Sequence, residues 1–339
     1  MIDFINKTLG KLLMYKFCGI KAVWYFKTKL YLRDKYYNDN CSKPTNIKRL
    51  LIVMCDGKVR HGGLGDRIHG ILSVYKFCKE KDLDFRIHFV HPFDLQEYFV
   101  PNKYSWIIGK NEISFNAKES NPLWFYCTFN KYGLTLDDDN ILHYKHLSDI
   151  IKQKNYKQYH IYSNAHFCIG SSYSELFNEL FKPSVKLQHS IDINLSNIGN
   201  DFIAMVFRFQ QLLGDFKERN FPTLTKEEGD RLIRKNIEKV REIYYKCHRS
   251  MPLLVTSDSK KFLDEVNKLD FVYVIPGRVV HLTYTPDNDY ELHLKSFLDL
   301  MLLSKAKKIY LLCTEGMYHS GFAQSAALIN NTDYEEVFF

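Results

Sequence analysis

The chain is 339 residues long, 45% hydrophobic and 25% charged, the proportions of a globular protein with room for two domains. Its 25 Phe and 23 Tyr supply ample apolar surface to bury, which excludes wholesale disorder, and no 18-residue apolar run is present to cross a membrane. The 47 Lys and Arg against 39 Asp and Glu give a net charge of +8, but the excess sits in the first 35 residues, so no basic nucleic-acid-binding face is expected on the body.

Residues 1–45 read as a basic amphipathic arm. Lys7, Lys11 and Lys16 interrupt Phe4, Ile5, Leu9, Leu12, Leu13 and Phe17, so a secretory signal is not expected. Two readings of 1–35 stay open: contact with an anionic membrane surface, or a helix that packs its apolar stripe on the body. The eight cysteines form no C-x-x-C pair, which favours reduced thiols over a zinc site or a disulfide framework.

Beyond the polar break at 38–46, the continuous apolar run 49–55 predicts a buried parallel strand. A Gly-rich loop, His61-Gly62-Gly63-Leu64-Gly65-Asp66-Arg67, leads into a helix with apolar residues at helical spacing, and 84–90 predicts the next strand. This is a βαβ unit. Between 100 and 200 the pattern yields only a strand at 159–164 and a short helix at 174–181. From 201 onward strands at 201–209, 252–258, 271–277 and 308–314 alternate with helices at 225–247, 259–269, 291–306 and 320–330, and Thr225 is a plausible N-cap. Such alternation predicts a doubly wound sheet. The boundaries follow: an arm at 1–45, an N-terminal α/β domain at 46–200, and a C-terminal α/β domain at 201–339.

Four motifs carry chemistry. The Gly-rich loop offers backbone N–H groups and a helix N-terminus to an anion, or is an ordinary tight turn. Arg208 leaves the carboxyl end of a predicted parallel strand, where open α/β sheets bind ligands; its planar fork suits phosphate, with pairing to Asp215 or a neighbouring acid as the alternative. Asp258 ends the next strand in Thr256-Ser257-Asp258, a pattern that also suits helix capping. His319-Ser320-Gly321-Phe322 opens the last helix, as a phosphate nest or a plain cap. Asp137, Asp138 and Asp139 follow no apolar strand and read as a solvated acidic turn rather than a metal-binding D-x-D.

Together these residues resemble the GDP-fucose-dependent fucosyltransferases of the α1,2-, α1,6- and protein O-types. The Gly62–Arg67 loop is similar to their G-x-G-[ND] loop, Arg208 to the arginine that holds the donor β-phosphate, and 298–329 to their last motif. In that motif Asp299 corresponds to an acid that contacts the base, and the His319–Phe322 turn holds phosphate. Val206 and Phe209 depart from the family's histidine and second arginine.

The resemblance implies a GT-B fold, with two Rossmann-like doubly wound domains facing a cleft, the N-terminal one (46–200) on the acceptor side and the C-terminal one (201–339) binding the nucleotide sugar. It also implies inversion at the sugar carbon, no metal or other cofactor, and donor binding by Gly62, Gly63, Gly65, Arg67, Asp258, Asp299, His319, Ser320, Gly321 and Phe322. Asp66 is the expected base, His61 the reserve, and Arg208 the catalytic cation. The expected protein is a fucosyltransferase of polysaccharide biosynthesis. It would act on a glycan or lipid-linked glycan, in the cytoplasm and peripheral to the membrane. The alternatives are a GT-B transferase of another nucleotide sugar, or a non-catalytic sugar- or nucleotide-binding protein of the same fold.

Overall fold

The computed structural model describes residues 28, 30–36, 49–59, 61–125, 136–165, 170–215, 222–277, 279, 280, 282, 288–314 and 316–339. Most of the basic arm lies outside them; 30–36 are helical, with Leu32 and Tyr36 buried. Two compact units emerge. Unit 1 comprises the described parts of Met1–His61, Asp66–Val90 and Ser105–Gly170, and unit 2 those of Gly62–Gly65, His91–Tyr104 and Ser171–Phe339. Residues 171–200, grouped with the first half in the chain-order expectation, are therefore part of unit 2.

Unit 1 is built on a four-stranded parallel sheet in the order β2-β1-β5-β4, from β1 (Leu50–Cys55), β2 (Phe85–Phe89), β4 (Ser120–Phe125) and β5 (Gln158–Ser163). Every residue of β1 is buried, as its unbroken apolar run demands of a strand covered on both faces. Helix α1 (Leu64–Lys81) connects β1 to β2. It passes so close to β5 that a Cβ on Gly70 would stand 2.3 Å from the Ser163 carbonyl oxygen, so only glycine fits there. Helix α2 (Leu136–Gln153) begins where an acidic turn is expected, and its first turn carries Asp137–Asp139.

Unit 2 carries a five-stranded parallel sheet in the order β11-β10-β7-β8-β9. Its strands are β7 (Ile203–Phe207), β8 (Leu253–Ser257), β9 (Val272–Tyr273), β10 (Lys308–Cys313) and β11 (Asp333–Phe338). The order reverses between β7 and β10, which makes the carboxyl ends of those two strands the switch point of a doubly wound sheet.

One sheet face, with Ile203, Met205, Val255 and Leu312, packs on Ile233 and Val240 of α5 (Lys226–Cys247) and on Phe262 and Val266 of α6 (Lys260–Val266). Thr225 caps α5 in a full capping box with Glu228. Helices α7 (Tyr290–Leu303) and α8 (Gly321–Asn330) complete the alternation. Unit 2 also holds α3 (Tyr173–Leu180), α4 (Val185–Ile198) and the antiparallel pair β3 (Phe99–Pro101) and β6 (Phe181–Pro183). The strand expected over 271–277 shortens to two residues: β9 lies at the sheet edge, and Pro276 brings no N–H for a ladder.

Candidate active site

In unit 2 the parallel register aligns Phe207 with Ser257 on one side and Leu312 on the other. Arg208 and Asp258 thus emerge together, one step past the paired strands. The Arg208 Nη1 donates to Asp258 Oδ2 at 2.8 Å, with side chains 18% and 3% exposed. Asp258 also accepts the Phe209 amide at 2.8 Å and the Gln210 amide at 2.7 Å. Burial pushes the Asp258 carboxyl above its usual range, opposed first by Arg208 and then by these amides. Gln210 takes a left-handed φ of 52°, which turns the chain tightly enough to aim both amides at one carboxylate.

Asp258 therefore holds the Arg208 guanidinium in place. Asp215, the other partner considered for Arg208, instead accepts from Ser259 Oγ at 2.9 Å and the Lys261 amide at 2.8 Å, at the start of α6.

The switch point's other side is formed after β10. The Tyr318 amide donates to the Arg208 carbonyl at 3.1 Å, which ties the 314–320 loop to the end of β7. Ser320 is the N-cap of α8 and accepts the Phe322 amide at 3.3 Å. The N-terminus of a ten-residue helix, with its partial positive charge, thus follows the loop bonded to Arg208. An added Cβ on Gly321 would meet no atom within 4 Å. His319 is half exposed, bonds Glu336 Oε2 at 2.9 Å and stacks on Phe338, so its ring is engaged by β11. Gly65, counted with unit 2, lies against Ser325 of α8, its would-be Cβ 3.3 Å from the hydroxyl. Gly62 adopts φ 80°, which explains a glycine there. Asp299 is buried on α7 in an ion pair with Lys295.

The remaining candidates belong to unit 1. Asp66 is exposed in the first turn of α1. Because the helix starts at Leu64, Asp66 lies inside its first turn and is not its N-cap. Arg67 is 3% exposed, its guanidinium 5.2 Å from the Phe89 ring centre, and burial lowers its pKa. It is anchored inside unit 1, a setting that a donor-binding role does not require. His61 is 2% exposed and stacked on Tyr162.

Sequence reasoning missed a buried polar ladder here. Tyr162 donates to Asp56 Oδ2 at 3.2 Å, Lys58 pairs with the same carboxylate, and Tyr36 bonds His160. The alternation of Gln158, His160 and Tyr162 along β5 was its only signal.

No protein-family model matches the sequence, and comparison with curated proteins finds no match. Among solved structures, a mutant of FUT1 from Arabidopsis thaliana in complex with GDP matches over 97% of this chain and 78% of that one, with 13% identity and a TM-score of 0.53. The NodZ α-1,6-fucosyltransferase soaked with GDP-fucose matches over 84% and 93%, with 12% identity and a TM-score of 0.53. NodZ from Bradyrhizobium matches over 84% and 94%, with 12% identity and a TM-score of 0.52. Likeness at such identities is a likeness of fold. The chain has the mixed α/β, parallel-sheet fold of fucosyltransferases whose structures contain GDP or GDP-fucose.

Proposed function

We propose that the chain is an inverting, metal-independent glycosyltransferase that moves fucose from GDP-fucose to a glycan hydroxyl. The observation that carries this reading is the Arg208–Asp258 pair at the switch point of unit 2, with the α8 N-terminus after the neighbouring strand. A fold shared with GDP-fucose-bound fucosyltransferases supports it. As the sugar's anomeric C–O bond breaks, charge collects on the leaving diphosphate. A guanidinium locked in place by a buried acid stabilises that charge without reorganising. The acceptor oxygen forms the new bond from the opposite face, and its proton passes to Asp66.

In this reading Ser320, Gly321 and Phe322 line the phosphate end, Gly62, Gly63 and Gly65 approach the donor, and Asp299 meets the base. The acceptor is a glycan or lipid-linked glycan of polysaccharide biosynthesis. The protein works in the cytoplasm, with residues 1–35 on the membrane surface.

The test is turnover of GDP-fucose, with and without an oligosaccharide acceptor panel, before and after EDTA. Release of GDP undiminished by EDTA is expected. Binding without turnover would favour the non-catalytic alternative, and turnover restored only by Mn²⁺ or Mg²⁺ would defeat metal independence.

A further inference from the structure

Gln210 stands two residues past Arg208 with a left-handed φ of 52°. Most L side chains are strained there, and glycine, Asn and Asp are the residues that tolerate it. Glycine holds seven such positions among the described residues, and Asp82 and Asn331 hold two more. Arg49, the other exception, is exposed just before β1, so its side chain reaches water whatever its backbone does. Gln210 is only 7% exposed. Its turn would cost less with glycine, so the course of the chain alone does not account for a glutamine.

What the residue stands beside is a cation. The Gln210 amide and the Arg208 Nη1 converge on a single oxygen, Asp258 Oδ2, at 2.7 and 2.8 Å. The Gln210 backbone is thus held two hydrogen bonds from the guanidinium, past the carboxyl end of β7, where an open α/β sheet takes its ligand. A carboxamide carries two donors and an acceptor, and buried polar groups are kept where such capacity is used. Sparsely populated backbone conformations cluster where ligands are gripped.

We propose that Gln210 is a specificity-determining residue for the transferred sugar, its carboxamide hydrogen-bonding the sugar hydroxyl nearest the diphosphate. This deepens, and rests on, the GDP-sugar reading above. With the leaving diphosphate on Arg208, the next group along the donor is the sugar, joined through its anomeric oxygen. The C2 hydroxyl is the first hydroxyl beyond that bond. It both donates and accepts, as a carboxamide does, whereas a second cation here would grip only phosphate. The contact is made with GDP-fucose and not with GDP, which separates it from the phosphate grip of Arg208.

The experiment is calorimetric titration of the full chain with GDP, GDP-fucose and GDP-2-deoxy-2-fluorofucose, beside thermal unfolding, on the wild type, Gln210→Gly and Gln210→Met. A neutral hydrogen bond is worth roughly threefold to tenfold in affinity. The wild type should bind the fluorinated donor more weakly than GDP-fucose by that factor. Both variants should lose the same factor for GDP-fucose, stop distinguishing the two donors, and leave GDP affinity unchanged. The Tm of Gln210→Gly should hold or rise, by up to about 4 °C, since relieved strain is partly offset by glycine's freedom in the unfolded chain. A Gln210→Gly protein with a lower Tm, or one that does not fold, would place the carboxamide's partners inside the protein and overturn the proposal. Equal weakening of GDP and GDP-fucose in Gln210→Met would overturn it too, as would a wild type indifferent to fluorine at C2. If the wild type binds neither GDP nor GDP-fucose, the GDP-sugar reading itself fails and takes this one with it. GDP-fucose binding that survives both substitutions sinks only the role of Gln210.

Discussion

Both parallel sheets carry buried polar groups, those of unit 1 along β5 from its amino end and those of unit 2 just past the carboxyl ends of β7 and β8, and they hold them in opposite ways. In unit 1 the groups are spent on one another. Gln158 Nε2 donates to the Glu112 carbonyl at 2.6 Å, and its Oε1 accepts the Ser114 amide at 2.9 Å. His160 Nε2, 2.8 Å from that same oxygen, must then carry the proton, which leaves Nδ1 to accept from Tyr36. Tyr162, Asp56 and Lys58 extend the ladder toward the end of β1. In unit 2 support runs outward instead: Asp258, 3% exposed, is satisfied by two amides and a guanidinium that is itself 18% exposed. A buried acid that ends on a partly exposed cation prepares a site for an anion, whereas a ladder closed on itself holds a fold. Of the two units, unit 2 therefore has the arrangement suited to an anion.

The largest expected effect tests a group of unit 1 that lies outside the ladder. Asp66 is exposed on α1, so Asp66→Asn should keep stability and donor binding near the wild type. Turnover should fall roughly 10²–10⁴-fold if its carboxylate takes the acceptor proton. Steady-state kinetics beside GDP titration measures both. A drop of less than tenfold would move the base elsewhere.

Next comes Arg208→Lys, which keeps the charge but gives up the planar fork. GDP-fucose binding should weaken roughly tenfold to hundredfold, the worth of a charged hydrogen bond. Asp258→Asn should reproduce part of that loss through a less constrained guanidinium. Unchanged donor affinity and turnover in Arg208→Lys would remove unit 2 from phosphate binding.

What the sequence discloses follows the same division. The strands β1, β7, β8 and β10 are legible because covering both faces of a parallel sheet requires unbroken apolar runs. Strand β4 is not, since Pro122 argues against a strand and is tolerated because β4 lies at the sheet edge. Strand β11, Asp333–Phe338, is half acidic and largely exposed, so no periodicity marks it. Arg208 is legible from its place after an apolar run, but its partner Asp258 is fifty positions away and is found only through strand pairing. The Lys295–Asp299 spacing reads as an ordinary surface pair; that both side chains are buried depends on packing from elsewhere in the chain, which spacing does not show.

The smallest effect concerns the ladder's stability, and its sign follows from His160. Burial first, then Lys58 and His88, push its pKa from 6.5 down to about 3. A depressed pKa means the fold favours neutral imidazole, so this contribution is fully present above pH 6.5 and is lost as pH falls toward 3. Each pH unit in that window costs about 1.4 kcal/mol per group, so by pH 5 His160 alone should remove about 2 kcal/mol from unit 1. Carboxylates elsewhere titrate in the same range, which is why the comparison is with His160→Gln, a side chain that does not ionise. Denaturant unfolding of both proteins at half-unit steps from pH 7 to 5 should give a steeper decline for the wild type, the gap opening below pH 6.5. Parallel declines would mean that the imidazole can be charged in place, and that the ladder is as open to solvent and ligand as the Arg208 end of unit 2.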